Sequence, residues 1–473
     1  MISQGPSTTV AAPPPRAQEA PRRGRAGGLV ATLILSVVAF QLNASMLSPA
    51  LPDIAESLGE NLDQIAQVSA LFFLAGAVSS VILGRWSDVI GRRNTLLIVL
   101  GLLTVGTLLC IWAPNLTVLL IGRVLQGASS ATFPLAYTIL SKSLSAKAFG
   151  TALGLITAVN GGVGGADGYI GGLLADTLGF RSIFVGILAV TLIALPCVFL
   201  VVPKDAVDDA AGGMDWWGAA ALSMALICIT FFVSQGPTSG WLAPITLVYL
   251  AGTVVSLLLF GLIQKKSRNP LIAIHHLRSR QMWPLLATTI LTLTGIFAVM
   301  NFTVVLLGQD SSAGYGLGAA TSALLLLTPP ALIGVFAAPI SGWFAGRRGW
   351  LKLLRAGLLI SVLALVLIAS VPLDRWVVAA ALAVLGVSYY GMVLTALGGI
   401  SVVLSPEDAP AALPAVNGAC FGIGAGLGIG IVAPFAALGT VDGYSTALWI
   451  SVGITALALV ASFIISPRPG QKL

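Results

Sequence analysis

The sequence predicts an all-α integral membrane fold of about 14 transmembrane helices, arranged as two pseudo-repeated six-helix bundles with two helices inserted between them. Three observations predict it. The composition is too poor in charge for a water-facing surface, apolar runs of bilayer length recur along the chain, and several short patterns return about 258 positions later.

Of the 473 residues, 57% are hydrophobic and 9% charged, against roughly 45–50% and about 25% in a soluble domain. Lipid is therefore the main solvent. A net charge of +7 would suit nucleic acid only if the basic residues shared one folded face, but they sit in short loops, so no nucleic-acid partner is expected. Cys110, Cys197, Cys228 and Cys420 fall inside apolar runs without metal-ligand or paired spacing and read as small buried hydrophobes. His275 and His276 are the only histidines, too few for a histidine metal site. No metal, cofactor or enzyme activity is expected, since no nucleophile–base pair is visible either.

Residues 1–27, rich in Pro, Ala and Arg, predict a disordered cytoplasmic tail. The run 28–50 ends in Ser48-Pro49-Ala50, which faintly resembles a signal-peptidase site, but it is too long for a signal core of about 7–15 residues. It is read as a retained first helix. The further spans are 64–84, 94–113, 116–140, 149–172, 182–202, 216–235, 241–264, 282–308, 317–345, 350–371, 376–403, 411–438 and 445–466, each able to cross about 30 Å of hydrocarbon. With the N-terminus inside, all 24 basic residues except Arg181, Arg375 and the intramembrane Arg123 fall on the inner side. That asymmetry predicts an inner-membrane protein with both termini cytoplasmic. The segment Lys265–Met282 fits a short interfacial helix and equally an ordinary basic loop. The organisation expected is a bundle at 28–202, a linker with two helices at 203–281, a second bundle at 282–466 and a tail at 467–473.

The repeat supports two related halves. Gly84-Arg85-Trp86-Ser87-Asp88-Val89-Ile90-Gly91-Arg92 returns in outline as Gly342-Trp343-Phe344-Ala345-Gly346-Arg347-Arg348-Gly349, and Asn43 as Asn301, each 258 positions on. Ala158-Val159-Asn160-Gly161 matches Ala415-Val416-Asn417-Gly418 at 257. Such repeats suit proteins whose halves rock about a central site.

Gly84 to Arg93 resembles the signature of the major facilitator superfamily between helices 2 and 3, and Gly122-Arg123-Val124-Leu125-Gln126-Gly127 resembles its arginine-containing motif. Asp215-Trp216-Trp217-Gly218 and the two extra helices are similar to the fourteen-helix drug:proton antiporter branch. The resemblance covers residues 28–466. It implies a cytoplasmic latch at Gly84, Asp88, Gly91, Arg92 and Arg93, and a transporter of a small molecule driven by protons. Two departures stand out. Where the branch carries an Asp in helix 1, this chain has Leu42-Asn43-Ala44-Ser45, and the helix 5 Gly-Pro pair has become Asp167-Gly168.

Arg123 and Asp167 are the charged residues clearly within spans, and each costs at least about 2.5–3.5 kcal/mol at mid-bilayer. At 1.5 Å per residue they lie roughly 10 Å and roughly 7 Å below the outer ends of spans 4 and 5. They are expected to pair and to form the proton-coupling site. Gln41, Asn43, Asn160, Asn301, Tyr389 and Tyr390, with Tyr137 as a weaker candidate, are expected to line the substrate cavity. An interhelical hydrogen bond of about 0.6 kcal/mol would account for each of them as well. The expectation is proton-coupled efflux of a drug or secondary metabolite by a monomer, with proton-coupled uptake of a nutrient or metabolite as the alternative.

Overall fold

The computed structural model describes residues 23–47, 50, 54, 57–60, 62–204, 214–267, 279, 281–317, 319–406, 412–436 and 438–466. The tail 1–22, the loop carrying His275 and His276, and most of the proposed interfacial segment lie outside the described residues. The described chain is helical from end to end. In order it runs α1 (Arg23–Ser45), α2 (Leu62–Ile90), α3 (Arg92–Ile111), α4 (Leu116–Ser143), α5 (Ala146–Leu178), α6 (Arg181–Val201), α7 (Trp216–Ser239) and α8 (Pro244–Lys266). It continues as α9 (Trp283–Gln309), α10 (319–348), α11 (Trp350–Ser370), α12 (Arg375–Val403), α13 (Ala412–Ala436) and α14 (Val441–Ile464).

Among the described residues, 12 helices are long and apolar enough to cross a membrane. Helices α5 and α7 are not among these twelve; their stretches Lys147–Val159 and Trp216–Phe232 are apolar and lie within longer continuous helices. Helix α1 begins at Arg23, five positions before the expected Gly28. The residues 23–27 thus extend the helix instead of belonging to the tail.

Polar caps start these helices where the chain leaves the apolar core. Asn115, Ser145, Asp215, Asp374 and Thr440 each accept a hydrogen bond from a first-turn amide, for example Val118 N at 3.0 Å for Asn115 and Gly218 N at 2.9 Å for Asp215. These satisfy amides that a helix start leaves unpaired. The turns α2–α3 and α10–α11 pivot on Gly91 (φ 89°, ψ 144°) and Gly349 (φ 106°, ψ 143°). Side chains other than hydrogen are disfavoured there. Their near-identical conformations, 258 positions apart, carry the sequence repeat into the backbone.

Large apolar side chains point outward, with Phe336, Trp217 and Leu242 73%, 80% and 84% exposed, which suits a lipid surface and no aqueous one. Inside, small and hydroxylated residues let helices approach and bond. Ser361 Oγ donates to Ser388 Oγ at 2.9 Å between α11 and α12, and Thr289 Oγ1 donates to Asn417 Oδ1 at 2.7 Å between α9 and α13. Cys110 and Cys420 are buried, Cys197 and Cys228 half-buried, and all four are free thiols. Helix α7 docks along α2 and α13, and α8 packs on α7, with Val81, Ala219, Leu226, Phe260 and Ala419 in the shared apolar cluster. Asp215, capping α7, also accepts from Gln264 Nε2 of α8 at 2.8 Å.

The tightest approach between N- and C-terminal portions joins α5 to α10. A Cβ added at Gly150 would overlap the Gly342 carbonyl, and one at Gly342 would overlap the Gly150 carbonyl. Beside them the rings of Phe149 and Trp350 lie 6.0 Å apart.

Candidate functional site

Arg123, in the first third of α4, is 1% exposed. Its Nε donates to the Val68 carbonyl at 3.0 Å, and its NH1 donates to Asn43 Oδ1 at 2.6 Å, to the Asn43 carbonyl at 3.3 Å and to Gln126 Oε1 at 3.0 Å. The guanidinium also lies 4.3 Å from the centroid of the Phe72 ring. Gln126 is fixed in turn by donating from Nε2 to Thr107 Oγ1 at 2.9 Å. Thus α1, α2, α3 and α4 meet at one cation held by amides, carbonyls and a ring face. The arginine does not snorkel outward.

Asp167, 1% exposed on α5, accepts a hydrogen bond from Ser45 Oγ of α1. Ser45 Oγ contacts the Gln41 carbonyl at 2.9 Å and receives Gln41 Nε2 at 3.2 Å. The expected pairing of Arg123 with Asp167 is not formed. Asn43, which binds Arg123, and Ser45, which binds Asp167, are two residues apart on α1 and so point about 200° apart. The two charges therefore approach α1 from nearly opposite faces, and the amide at Asn43 takes the arginine that a carboxylate would otherwise attract.

The other cavity candidates divide. Asn301 and the pair Tyr389 and Tyr390 all sit in π-helical turns, Val299–Thr303 in α9 and Gly386–Val393 in α12. Such wide turns often mark functional positions. Asn301 is exposed, donates from Nδ2 to the Phe297 carbonyl at 3.2 Å and hydrogen-bonds Tyr390. Tyr389 is buried, its ring 5.1 Å from that of Tyr390. Asn43 and Asn301, equivalent in the repeat, thus have different partners. Asn160 lies in α5, but its side chain is outside the described residues. Tyr137 hydrogen-bonds Thr157 of α5 and rests against Gly398 of α12.

At the α2–α3 turn, Asp88 Oδ1 accepts from Arg92 at 3.1 Å and its Oδ2 lies 3.6 Å from Arg85. Ser87 Oγ donates to the Gly84 carbonyl at 2.6 Å. Arg93 instead turns to α6, donating to the Phe199 carbonyl and stacking 4.8 Å from its ring. These contacts of Asp88 and Arg93 stay within α1–α6. At the equivalent turn of α10, Arg347 and Arg348 lie over Trp343 and Phe344 at 3.7 and 4.5 Å.

Sequence reasoning missed Ser45, Gln126 and Phe72. Two of them had a signal: Ser45 is four residues after Gln41, and Gln126 three after Arg123, the spacings that place side chains on one helix face. Phe72 had none within its own helix.

A membrane bundle with a polar, partly charged interior fits a solute carrier. The sequence model of the Major Facilitator Superfamily matches residues 33–429, and the chain belongs to that family. It is 37% identical over 461 residues to the uridine/deoxyuridine transporter of Lactococcus lactis subsp. cremoris, covering 94% of this chain and 95% of that one. It is 28% identical over 424 residues to the multidrug resistance protein Stp of Mycobacterium tuberculosis, covering 87% and 74%. Its fold is similar to that of the proton:xylose symporter XylE, with TM-score 0.63 and 14% identity over 95% of this chain and 98% of that one.

Proposed function

We propose that this chain is a proton-coupled importer of a nucleoside-type metabolite. The observation that carries the substrate class is the 37% identity, over nearly the whole of both chains, to a uridine/deoxyuridine transporter. The side chains available agree with it. Gln41 and Asn301 offer amides, each a donor and an acceptor, and Tyr390 an aromatic face, a set suited to a flat base edged with N–H and C=O groups. Asp167 is the proton site in this reading, because among the described residues it is the buried carboxyl within a span and its partner Ser45 belongs to the helix that carries Gln41.

The working unit is a monomer with fourteen spans in the inner membrane, α5 and α7 included, and both termini cytoplasmic. Two six-helix halves at 28–202 and 282–466 rock about the α1, α5, α9 and α12 residues, joined by the linker 203–281. Gly84, Asp88, Gly91, Arg92 and Arg93 form the cytoplasmic latch. Labelled uridine should accumulate in right-side-out vesicles when the outside is made acid, and a protonophore should abolish the accumulation. Exclusion of uridine under the same gradient would overturn import.

The second reading is efflux of drugs or secondary metabolites. It is favoured by the 28% identity to a multidrug resistance protein. It requires that an amphiphilic dye be expelled against its gradient when protons flow inward.

A further inference from the structure

Ser45 makes three polar contacts with one hydroxyl. They are the Gln41 carbonyl at 2.9 Å, Gln41 Nε2 at 3.2 Å and Asp167 Oδ2. A hydroxyl has one proton and two lone pairs. The Gln41 carbonyl can only accept, so a bond to it uses the proton of Ser45. Gln41 Nε2 donates, so it uses one lone pair. The second lone pair is left for Asp167, and a bond there needs a proton on the carboxyl. All three contacts are therefore satisfied together only when Asp167 is protonated. When the carboxyl is ionised, Ser45 turns its own proton to Oδ2 and gives up the Gln41 carbonyl. Turning the hydroxyl carries with it the lone pair that receives Gln41 Nε2.

We propose that Ser45 is a positioning residue that transmits the protonation state of Asp167 to the side chain of Gln41, and through it to the substrate. The proposal rests on the reading of Asp167 as the proton site. Gln41 commits one amide N–H to Ser45 and keeps its other N–H and Oε1 for a ligand. Loading a proton and orienting the substrate-facing amide become one rearrangement within a turn and a half of α1. Little else at this depth competes for the role. On α5 itself Tyr169 is the other titratable residue away from the helix ends, and on the helices packed against it these groups are Arg123 and Tyr137 on α4, Cys197 on α6, and Tyr389 and Tyr390 on α12. α1 and α10 contribute none. Arg123 is turned to Asn43, Tyr137 to Thr157 and Tyr390 to Asn301.

The test is an infrared pH titration of the purified full-length protein, scored as the carboxyl band present in the wild type and absent in Asp167→Asn. Ser45→Ala removes a hydrogen bond from both states of Asp167, and the one given to the ionised carboxylate is charge-assisted and the stronger, so the midpoint of that band should rise by about one pH unit. Ser45→Thr keeps the hydroxyl and should restore it. If Ser45→Ala does not fold, Ser45→Cys, a weaker donor in the same place, should move the midpoint the same way. An unmoved midpoint in these variants, or no band that distinguishes Asp167→Asn between about pH 4 and 10, overturns the proposal. Separately, labelled uridine uptake is followed in vesicles under an imposed pH gradient. Loss of gradient-driven uptake in Asp167→Asn with an unmoved Ser45→Ala midpoint sinks Ser45 alone. Uptake that survives Asp167→Asn with unchanged pH dependence sinks the proton site and the transmission with it.

Discussion

Arg123 gathers four helices because a guanidinium has more donors than one partner can use. Two carbonyls, the Asn43 amide oxygen and the Gln126 amide oxygen share it at 2.6 to 3.3 Å. Arg123→Ala would strand those buried acceptors where water does not reach, at a cost on the order of 3 kcal/mol. Arg123→Lys replaces the planar fork by a point charge and should recover only part of it. Melting of both variants in detergent measures this, and an unchanged Tm for Arg123→Ala would sink the structural role. Asp310, at the C-terminal end of α9, sits in the opposite regime. Its carboxylate accepts from the Ser312 hydroxyl and amide, the Ala313 amide and the Tyr444 hydroxyl, at 2.7 to 3.2 Å. These donors, the Ser312 hydroxyl first, hold it at about 2, below its ordinary 3.8. A carboxyl depressed on folding stabilises the fold above its unfolded value and loses that contribution as pH falls through the folded one. Asp310→Asn should therefore lower Tm at neutral pH, and the difference from wild type should shrink between about pH 4 and about pH 2. A difference that is the same at both ends of that window would show that the carboxylate's charge plays no part.

The helices themselves are set by length and hydropathy, and their joints by glycine. Helices α5 and α10 touch backbone to backbone at Gly150 and Gly342, and any side chain there would occupy the neighbour's carbonyl. Gly342→Leu should part them, abolishing transport while leaving the protein in the membrane. A cysteine at Ser341 should become reactive, since Ser341 is 7% exposed in the closed arrangement. Normal transport by Gly342→Leu would mean that the contact never has to form. The elements were largely legible in the sequence, because apolar runs and the Gly91 and Gly349 turns depend on local chemistry. The polar residues of the α2–α3 turn, Arg123 and Asp167 were legible as positions, and their partners were not. Which neighbour Arg123 meets depends on the rotation of α1, and the two-residue step from Asn43 to Ser45 separates the charges by about 200°. The π-helical turns that carry Asn301, Tyr389 and Tyr390 were equally hidden. In the α12 turn, Gly386 and Gly391 are seated against Pro330, Ile333 and Ala337 of α10, contacts between helices that no local pattern announces.

At the scale of the molecule, the position of these contacts identifies the state. Gly150 lies near the start of α5 and Gly342 near the end of α10, both beside the basic loops that the positive-inside rule places in the cytoplasm. Phe149 and Trp350 extend the same seam, and Trp350 is wedged against Gly399 of α12. In the proposed orientation this seam closes the cytoplasmic side, and in alternating access a carrier closed inside takes its substrate from outside. Inward release requires this seam to open, so a covalent bridge across it should trap the molecule as found. A Phe149→Cys, Trp350→Cys pair joined by a short bifunctional thiol reagent should keep uridine binding from the outside but stop both net uptake and exchange. A cleavable reagent should give the activity back on reduction. Each single variant, treated alike, should lose little. Bridged protein that still exchanges uridine at the unbridged rate would mean that the seam stays shut throughout the cycle, and the moving contact would then have to be sought along α2 and α13, where Val81 and Ala419 meet.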